Sequence, residues 1–316
     1  AFKKEEQIIL FQNRRGYTPS WSCEICAWTP RCTNCDVSLT YHKHSNLLKC
    51  HYCSFTTAPV GTCKACGSNR LKMNGFGTEK VEDDLAIIFP DKIIKRLDLD
   101  TTRTKNAYEE ILDDFDNRKI DVLIGTQMVT KGLDFDNVSL VGILDADMLL
   151  NRPDFRAYER SYQLMSQVAG RAGRKGKRGK VIIQTSNPDH WVIELVQQHN
   201  YKQFYAQEII ERENFFYPPF FKMISFTLKH KEEHEVTRGA NEFALALKNI
   251  FKERVMGPEF PLIKRIQNQF LKEIKLKIER TAPERKVKER IKILMDEFYA
   301  KAGNKSIKIV VDVDPL

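Results

Sequence analysis

Two periodicities take turns along this chain. Ile8-Ile9-Leu10-Phe11 is an unbroken apolar run of strand length, and Asp121-Val122-Leu123-Ile124, Val138 to Leu144 and Val181-Ile182-Ile183 also read as strands. Unbroken runs suit strands covered on both faces. Between them Val81, Leu85, Ile88 and Phe89, then Tyr108, Ile111, Leu112 and Phe115, recur at the spacing of one helix face. Ile93 to Leu99 reads as a further strand. Strands alternating with amphipathic helices predict an α/β layer built on a parallel sheet. His190 to Asn214, with Trp191, Ile193, Leu195, Val196, Phe204, Ile209 and Ile210, predicts a helical connector that docks on that layer. Tyr217-Pro218-Pro219-Phe220 breaks the helix and opens a second domain. There Ile224, Phe226 and Leu228 alternate, as do Ile274, Leu276 and Ile278, and Ile307, Ile309, Val311 and Val313. Helix faces are marked by Val236, Ala240, Phe243, Leu247 and Phe251 and by Val287, Ile291, Leu294 and Phe298. The pattern predicts a small α+β domain with helices on one face of its sheet.

The stretch from Trp21 to Met73 interrupts this scheme after the first strand. It is poor in aliphatic residues and rich in turn formers (Pro30, Asn34, Asp36, Pro59, Gly61, Gly67), too little to build a core unaided. All eight cysteines lie here, in four C-x-x-C pairs: Cys23/Cys26, Cys32/Cys35, Cys50/Cys53 and Cys63/Cys66. A C-x-x-C turn aims two thiolates at one point, and two such turns make a tetrahedral Cys₄ site. Four turns therefore predict two structural Zn²⁺ ions, whose binding supplies the folding energy that the missing core cannot. Disulfides are the competing use, but they belong to oxidising compartments. Consecutive, interleaved and nested pairings of the four turns all remain open on spacing. His42, His44 and His51 are expected at the surface, because thiolates already complete both sites. Arg14, Arg15, Lys43, Lys49, Lys64, Arg70 and Lys72 surround the module, and Trp21, Trp28, Tyr41, Tyr52 and Phe55 are available to stack on bases.

Charge sharpens the picture. The formal net charge is +9, and residues 216–316 hold 21 Lys/Arg against 14 Asp/Glu. Arg171, Arg174, Lys175, Lys177, Arg178 and Lys180 form a second basic cluster. Such surfaces favour polyanions, of which nucleic acid is the commonest. Lys275, Lys277, Lys286, Lys288, Arg290 and Lys292 are expected on solvent faces of the last domain. No apolar run reaches the length of a membrane span, and no apolar leader opens the chain, so the expected compartment is the cytoplasm.

Two segments carry chemistry. Gly125-Thr126-Gln127-Met128-Val129-Thr130-Lys131-Gly132-Leu133-Asp134-Phe135 directly follows a strand, where a parallel sheet presents its ligand edge. Gln167-Val168-Ala169-Gly170-Arg171-Ala172-Gly173-Arg174 places two arginines three apart, on one side if the segment is helical. That arrangement suits arginine fingers, which stabilise charge on a transferring γ-phosphate. GTQMVTKGLDF followed by QVAGRAGR resembles motifs V and VI of superfamily 2 helicases. With FQNRRGY at 11–17, the four C-x-x-C pairs, GFGTEKVEDDL at 75–85, DFRAYER at 154–160, YPPF at 217–220 and DVDP at 312–315, the chain resembles the C-terminal part of the PriA family of primosomal replication-restart helicases.

The resemblance implies a RecA-like helicase lobe 2 with an inserted two-zinc Cys₄ module, followed by a small α+β C-terminal domain. Its divisions are 1–20 and 74–187 for the lobe, 21–73 for the module, 188–215 for the connector and 216–316 for the last domain. It implies nested zinc sites, Cys23, Cys26, Cys63 and Cys66 on one ion and Cys32, Cys35, Cys50 and Cys53 on the other. It also implies that Gln167, Arg171 and Arg174 face ATP, while Gly125, Thr126, Lys131, Gly132 and Asp134 lie along the ATP and DNA faces. The implied activity is ATP- and Mg²⁺-dependent 3′→5′ unwinding at forked DNA of stalled replication forks. The implied partners are primosome proteins and single-stranded-DNA-binding protein. The segment Lys264 to Phe270 departs from the family pattern, with Gln269-Phe270 where an arginine after an aromatic is expected. No G-x-x-x-x-G-K-[ST] loop and no D-E-x-H box occurs in the 316 residues, so the chain is expected to be a fragment inactive on ATP by itself. The rival reading is a zinc-ribbon nucleic-acid-binding module without motor activity. A RING-like ubiquitin ligase is a third reading, but no spacing here matches its interleaved Cys/His pattern.

Overall fold

The computed structural model describes residues 2, 6–13, 20–42, 45–74, 77–99, 101–102, 104–130, 135–173 and 179–315. In chain order the elements are β1 (Gln7–Gln12), β2 (Ser20–Cys23), β3 (Thr40–His42), β4 (Leu47–Lys49), β5 (Thr56–Thr57), β6 (Leu71–Asn74), α1 (Thr78–Ile88), β7 (Ile94–Leu97), α2 (Lys105–Asp116), β8 (Val122–Gly125), β9 (Val138–Leu144), α3 (Asp147–Leu150), α4 (Ala157–Ala169), β10 (Lys180–Ile183), α5 (Trp191–Gln197) and α6 (Tyr201–Asn214). They continue with β11 (Phe221–His230), α7 (Glu233–Phe251), β12 (Val255–Glu259), β13 (Arg265–Ile266), β14 (Gln269–Glu279), α8 (Glu284–Ala300) and β15 (Lys308–Val313). The chain divides into two compact units. One comprises residues 1–30, 40–48 and 57–208, the other residues 31–39, 49–56 and 209–316.

The first unit is built on a parallel sheet of order β10-β9-β1-β8-β7. β1 is central because its apolar run has no solvent face. Ile8 joins Val81, Ile94, Val122 and Ile124 on one side of the sheet, while Ile9 and Phe11 join Leu97, Phe115, Leu123, Val141, Ile143 and Met165 on the other. The side-chain amide of Gln7, buried at the start of β1, donates to the carbonyls of Phe115 and Ile120 at 2.6 and 2.8 Å. It thus ties the start of β1 to the end of α2 through partners inside the core.

Two expectations change here. The helix predicted over 190–214 is two helices, because His199 between α5 and α6 takes a left-handed backbone conformation (φ 51°) that ends the first. Their aromatic residues still pack on the sheet unit: Phe204 stacks on Tyr162 at 4.4 Å and on Trp191 at 5.5 Å. The inward face of α1 is shorter than its pattern, with Val81 buried but Ile88 63% exposed.

The second unit holds an antiparallel sheet of order β12-β14-β11-β15, with β13 against β14. Ile224, Phe226 and Leu228 of β11 alternate into a core shared with α7 and α8, where Phe243 meets Phe226 and Phe298 edge-on at 5.4 Å each. Lys277 was expected in solvent, yet it is only 8% exposed. Its ammonium donates to the Phe215 carbonyl at 2.6 Å and lies 3.8 Å from the Tyr217 ring centre. Alternation put Lys277 on the outer face correctly; the segment before β11 covers that face. Lys286, Lys288, Arg290 and Lys292 are exposed on α8 as expected. Within the stretch 21–73, residues 31–39 and 49–56 group with the second unit and the remainder with the first.

Candidate functional site

The cysteines form two separate groups, each with its ligand atoms within 4.8 Å of one another: Cys23, Cys26, Cys63 and Cys66, and Cys32, Cys35, Cys50 and Cys53. This is the nested grouping that the family resemblance implies. None of the eight is in a disulfide. Sulfur–sulfur separations of 3.5 to 3.6 Å (Cys23 to Cys66, Cys26 to Cys63, Cys32 to Cys53) approach the roughly 3.8 Å edge of a tetrahedron with Zn–S bonds of 2.3 Å. The first group sits where antiparallel β2 and β6 bring the ends of the module together, Cys23 facing Leu71 in the ladder.

Local hydrogen bonding shapes each C-x-x-C turn. The first cysteine's N–H donates to the carbonyl five residues on: Cys23 to Trp28, Cys32 to Val37, Cys50 to Phe55 and Cys63 to Ser68, at 2.7 to 2.9 Å. In three turns the residue after the second cysteine is left-handed (Ala27 φ 57°, Ser54 φ 61°, Gly67 φ 74°) and its N–H closes back on the first cysteine's carbonyl. In the second group burial pushes the Cys35 thiol up to about 12, while the Phe55 backbone and neighbouring thiols hold Cys53 down at about 7. Four thiols packed so closely cannot all ionise without a cation among them, and a divalent ion with an affinity for thiolate resolves that conflict. The donor set, spacing and burial fit Zn²⁺.

A second constellation lies at the C-terminal edge of the parallel sheet. Gly125 ends β8, and a Cβ there would stand 2.2 Å from Val129 Cγ1 and 2.9 Å from the Leu97 carbonyl oxygen, so the turn that follows tolerates only glycine without rearrangement. Thr126 is buried, and its carbonyl accepts from the Val129 N–H at 3.1 Å to form a 3-10 turn over Gln127–Thr130. Gln127 and Gln167 line one recess of about 230 Å³ together with Arg152, Arg160 and Gln163. Gln127, Arg152 and Arg160 were not among the expected site residues. The DFRAYER segment at 154–160 held the signal for Arg160: Asp154 accepts from the Arg156 N–H at 2.9 Å and pairs with Arg160 at 2.6 Å, fixing the start of α4.

Arg171 does not lie on a helix. α4 ends at Ala169, and Arg171 follows in a turn whose N–H bonds to the Val168 carbonyl. Gly173 donates from that turn to the Val138 carbonyl at 2.9 Å, tying it to β9. Gly173 takes a left-handed backbone conformation (φ 75°) that glycine adopts freely. Lys131, Gly132, Asp134 and Arg174 lie outside the described residues, as do Arg14, Arg15, Lys43, His44, Lys175, Lys177 and Arg178. Of the aromatic residues offered for stacking on bases, Tyr41 is buried against Trp21 at 5.6 Å, whereas Tyr52 is 48% exposed.

Three family models match successive stretches. The PriA DNA helicase Cys-rich region domain matches residues 32–57, the helicase conserved C-terminal domain residues 77–176, and the primosomal protein N C-terminal domain residues 213–316. Replication restart protein PriA of Bacillus subtilis is 38% identical over 314 residues, covering 99% of this chain. The chain belongs to the PriA family. The homologous protein of Synechocystis is 40% identical over 320 residues, and that of Treponema pallidum 39% over 317. The chain spans 39%, 37% and 46% of these relatives, corresponding to their C-terminal portion. The family match over 77–176 favours a motor lobe over an isolated zinc ribbon.

Proposed function

We propose that this chain supplies the second motor lobe, the zinc-holding module and the C-terminal domain of an ATP-dependent DNA helicase that tracks 3′→5′, recognises forked DNA at stalled replication forks and initiates primosome assembly. The observation that carries this reading is the recess that Gln127, just beyond β8, and Gln167 of α4 line together on a lobe matching the helicase C-terminal domain. ATP with Mg²⁺ supplies the phosphoryl group whose hydrolysis drives movement. Arg171 and Arg174 contribute positive charge where negative charge grows on the transferring phosphoryl oxygens, a role worth 10³–10⁵ in rate elsewhere. Gln167 holds an amide in the same recess as Gln127. Two Zn²⁺ ions, one in each Cys₄ group, hold the module's turns together. Primosome proteins and single-stranded-DNA-binding protein are the protein partners of this reading, and the cytoplasm is its compartment. Among the described residues no helix is long and apolar enough to cross a membrane.

The test is a titration of the purified chain against forked, single-stranded and duplex DNA at several salt concentrations, with ATP turnover measured in parallel. Expected are binding that prefers forks and weakens steeply with salt, because phosphate contacts dominate, and no DNA-stimulated turnover, because the P-loop that cradles phosphates is not in these 316 residues. Salt-insensitive binding with no preference for forks refutes the DNA assignment. ATP turnover abolished by Arg171→Ala in the chain alone refutes the two-lobe assignment.

A further inference from the structure

The second cysteine group differs from the first in a way that the C-x-x-C spacing does not show. Three of the four turns close on themselves, through Ala27 N–H to Cys23, Ser54 to Cys50 and Gly67 to Cys63. The Cys32 turn does not. The corresponding donor, Asp36 N–H, goes instead to the carbonyl of Arg265 at 2.9 Å, more than two hundred residues away. The acceptor lies on a hairpin in which β13 pairs with β14, Arg265 opposite Phe270 and Ile266 opposite Gln269. Its two-residue turn, Gln267-Asn268, has both residues left-handed (φ 51° and 59°), the geometry that matches strand twist in a tight hairpin.

That turn lies along Asn34-Cys35-Asp36. Asn268 N–H donates to the Asn34 carbonyl at 2.8 Å, Gln267 N–H to Cys35 Sγ at 3.2 Å, and Gln267 Nε2 to the Tyr52 carbonyl at 3.1 Å. Arg265 pairs with Asp36 at 3.3 Å. The hairpin therefore touches both C-x-x-C turns of the group and donates to a ligand sulfur. In the first group Cys26 and Cys66 stay exposed; in the second Cys32, Cys35 and Cys50 are buried.

We propose that the Arg265–Phe270 hairpin of the C-terminal domain is the outer clasp of the second metal centre, with Gln267 as a positioning residue that acts through its main-chain N–H on the Cys35 sulfur. Metal at Cys32, Cys35, Cys50 and Cys53 and docking of the hairpin then stabilise each other, since whatever binds only the docked state favours it by mass action. A thiolate that accepts an N–H bond is held in place and its charge spread, which is how outer partners raise metal affinity. The segment whose sequence departs from the family pattern thus has a role in metal binding.

This inference rests on the zinc reading, so total zinc is measured first. Fewer than two ions per reduced chain defeats that reading and leaves the clasp without an object. The clasp itself is tested on a chain carrying Cys23→Ser and Cys26→Ser, which keeps metal at the second centre only, loaded with Zn²⁺ or with Co²⁺ as a spectroscopic probe. Gln267→Pro removes the N–H and cannot adopt the left-handed turn. The pair Gln267→Asn with Asn268→Gly keeps both the N–H and the turn. Expected for the proline variant are loss of Zn²⁺ to a chelator at least about tenfold more readily, as for other outer partners, and a shifted thiolate-to-Co²⁺ charge-transfer band. The Asn-Gly pair should retain wild-type behaviour. A second measurement needs no change at Gln267: removing metal should raise hydrogen exchange of the 265–271 amides while the β11 and α7 amides keep their protection. Equal metal retention by the two variants, or hairpin amides indifferent to metal, overturns the proposal.

Discussion

Placing a methyl group on Gly125 separates a packing role from a ligand-binding role for this residue. Its backbone pairs with both Phe11 and Leu97 in the sheet, so the residue cannot slide away from a clash. An alanine Cβ would stand 2.2 Å from Val129 Cγ1. Carbon contacts settle near 3.5 to 4.0 Å, so the valine must retreat by more than about 1 Å. Val129 is fully buried and has nowhere open to go. Overpacking of this kind costs about 1–3 kcal/mol, offset by roughly 0.4–1 kcal/mol from the less flexible unfolded chain. The net expectation for Gly125→Ala is about 1–2 kcal/mol. Val129→Ala alone costs about 2 kcal/mol, from two buried carbons and the cavity they leave. In the double variant the offending methyl is gone, and the combined loss should fall short of the sum by about 1 kcal/mol or more. Hydrogen exchange of the β1 and β8 amides is the assay, since it reads the opening of this sheet without assuming that the whole chain unfolds in one step. Gly125→Ala should speed exchange there by roughly tenfold. Unchanged exchange, or strictly additive effects in the double variant, would refute the packing argument. A double variant no less protected than Val129→Ala alone, but poorer than it in nucleotide-dependent activity when combined with the P-loop lobe, would give Gly125 a ligand role as well.

When the chain is combined with the P-loop lobe that the proposed function requires, Arg171→Ala should lower ATP turnover by about a hundredfold or more, with nucleotide-free DNA affinity unchanged; normal turnover removes the finger assignment. Asp147 accepts from Thr185 Oγ1, Ser186 N–H and Ser186 Oγ at 2.5 to 2.7 Å. Those bonds, led by the Ser186 and Thr185 hydroxyls, hold its carboxyl below the usual range. A lowered folded pKa gives stability that is present above the unfolded value of about 3.9 and lost as pH falls through the folded one. Asp147→Asn should therefore lower the thermal midpoint at pH 7, with the gap to wild type closing below about pH 4; a gap independent of pH counts against the linkage. Phe226→Ala removes a fully buried ring that meets Phe243 edge-on, and should cost about 3–5 kcal/mol, read as lost exchange protection across β11, β14 and α7.

Much of this molecule is legible in its sequence for a simple reason: burial repeats at the period of the element. The runs at 8–11, 121–124 and 138–144 became β1, β8 and β9, and the stripe Val236, Ala240, Phe243, Leu247 and Phe251 is the buried face of α7. The eight cysteines announce two metal centres because a C-x-x-C turn is a local object, closed by hydrogen bonds within five residues. What the pattern missed depends on distant neighbours. Lys277 sits on the outer face that alternation assigns it, but only the folded chain brings Phe215 and Tyr217 over it. Arg171 follows an apparently helical run, and the helix stops at Ala169 because the next turn bonds to β9. The hairpin at 265–270 carries little apolar periodicity, so nothing local marks the two-residue β13 or the first residues of β14.

By itself the sequence determined the α/β and α+β character of the two sheets, the thiolate chemistry of the module and the arginine-bearing segment, since each is written in spacings of a few residues. Only the tertiary structure decided which cysteine turns face one another. It alone divided the module between the two units and gave Asp36 N–H and Cys35 Sγ their partners on a hairpin more than two hundred residues away. A hydrogen bond depends on the distance between two groups in space, and the separation of their residues along the chain does not specify that distance.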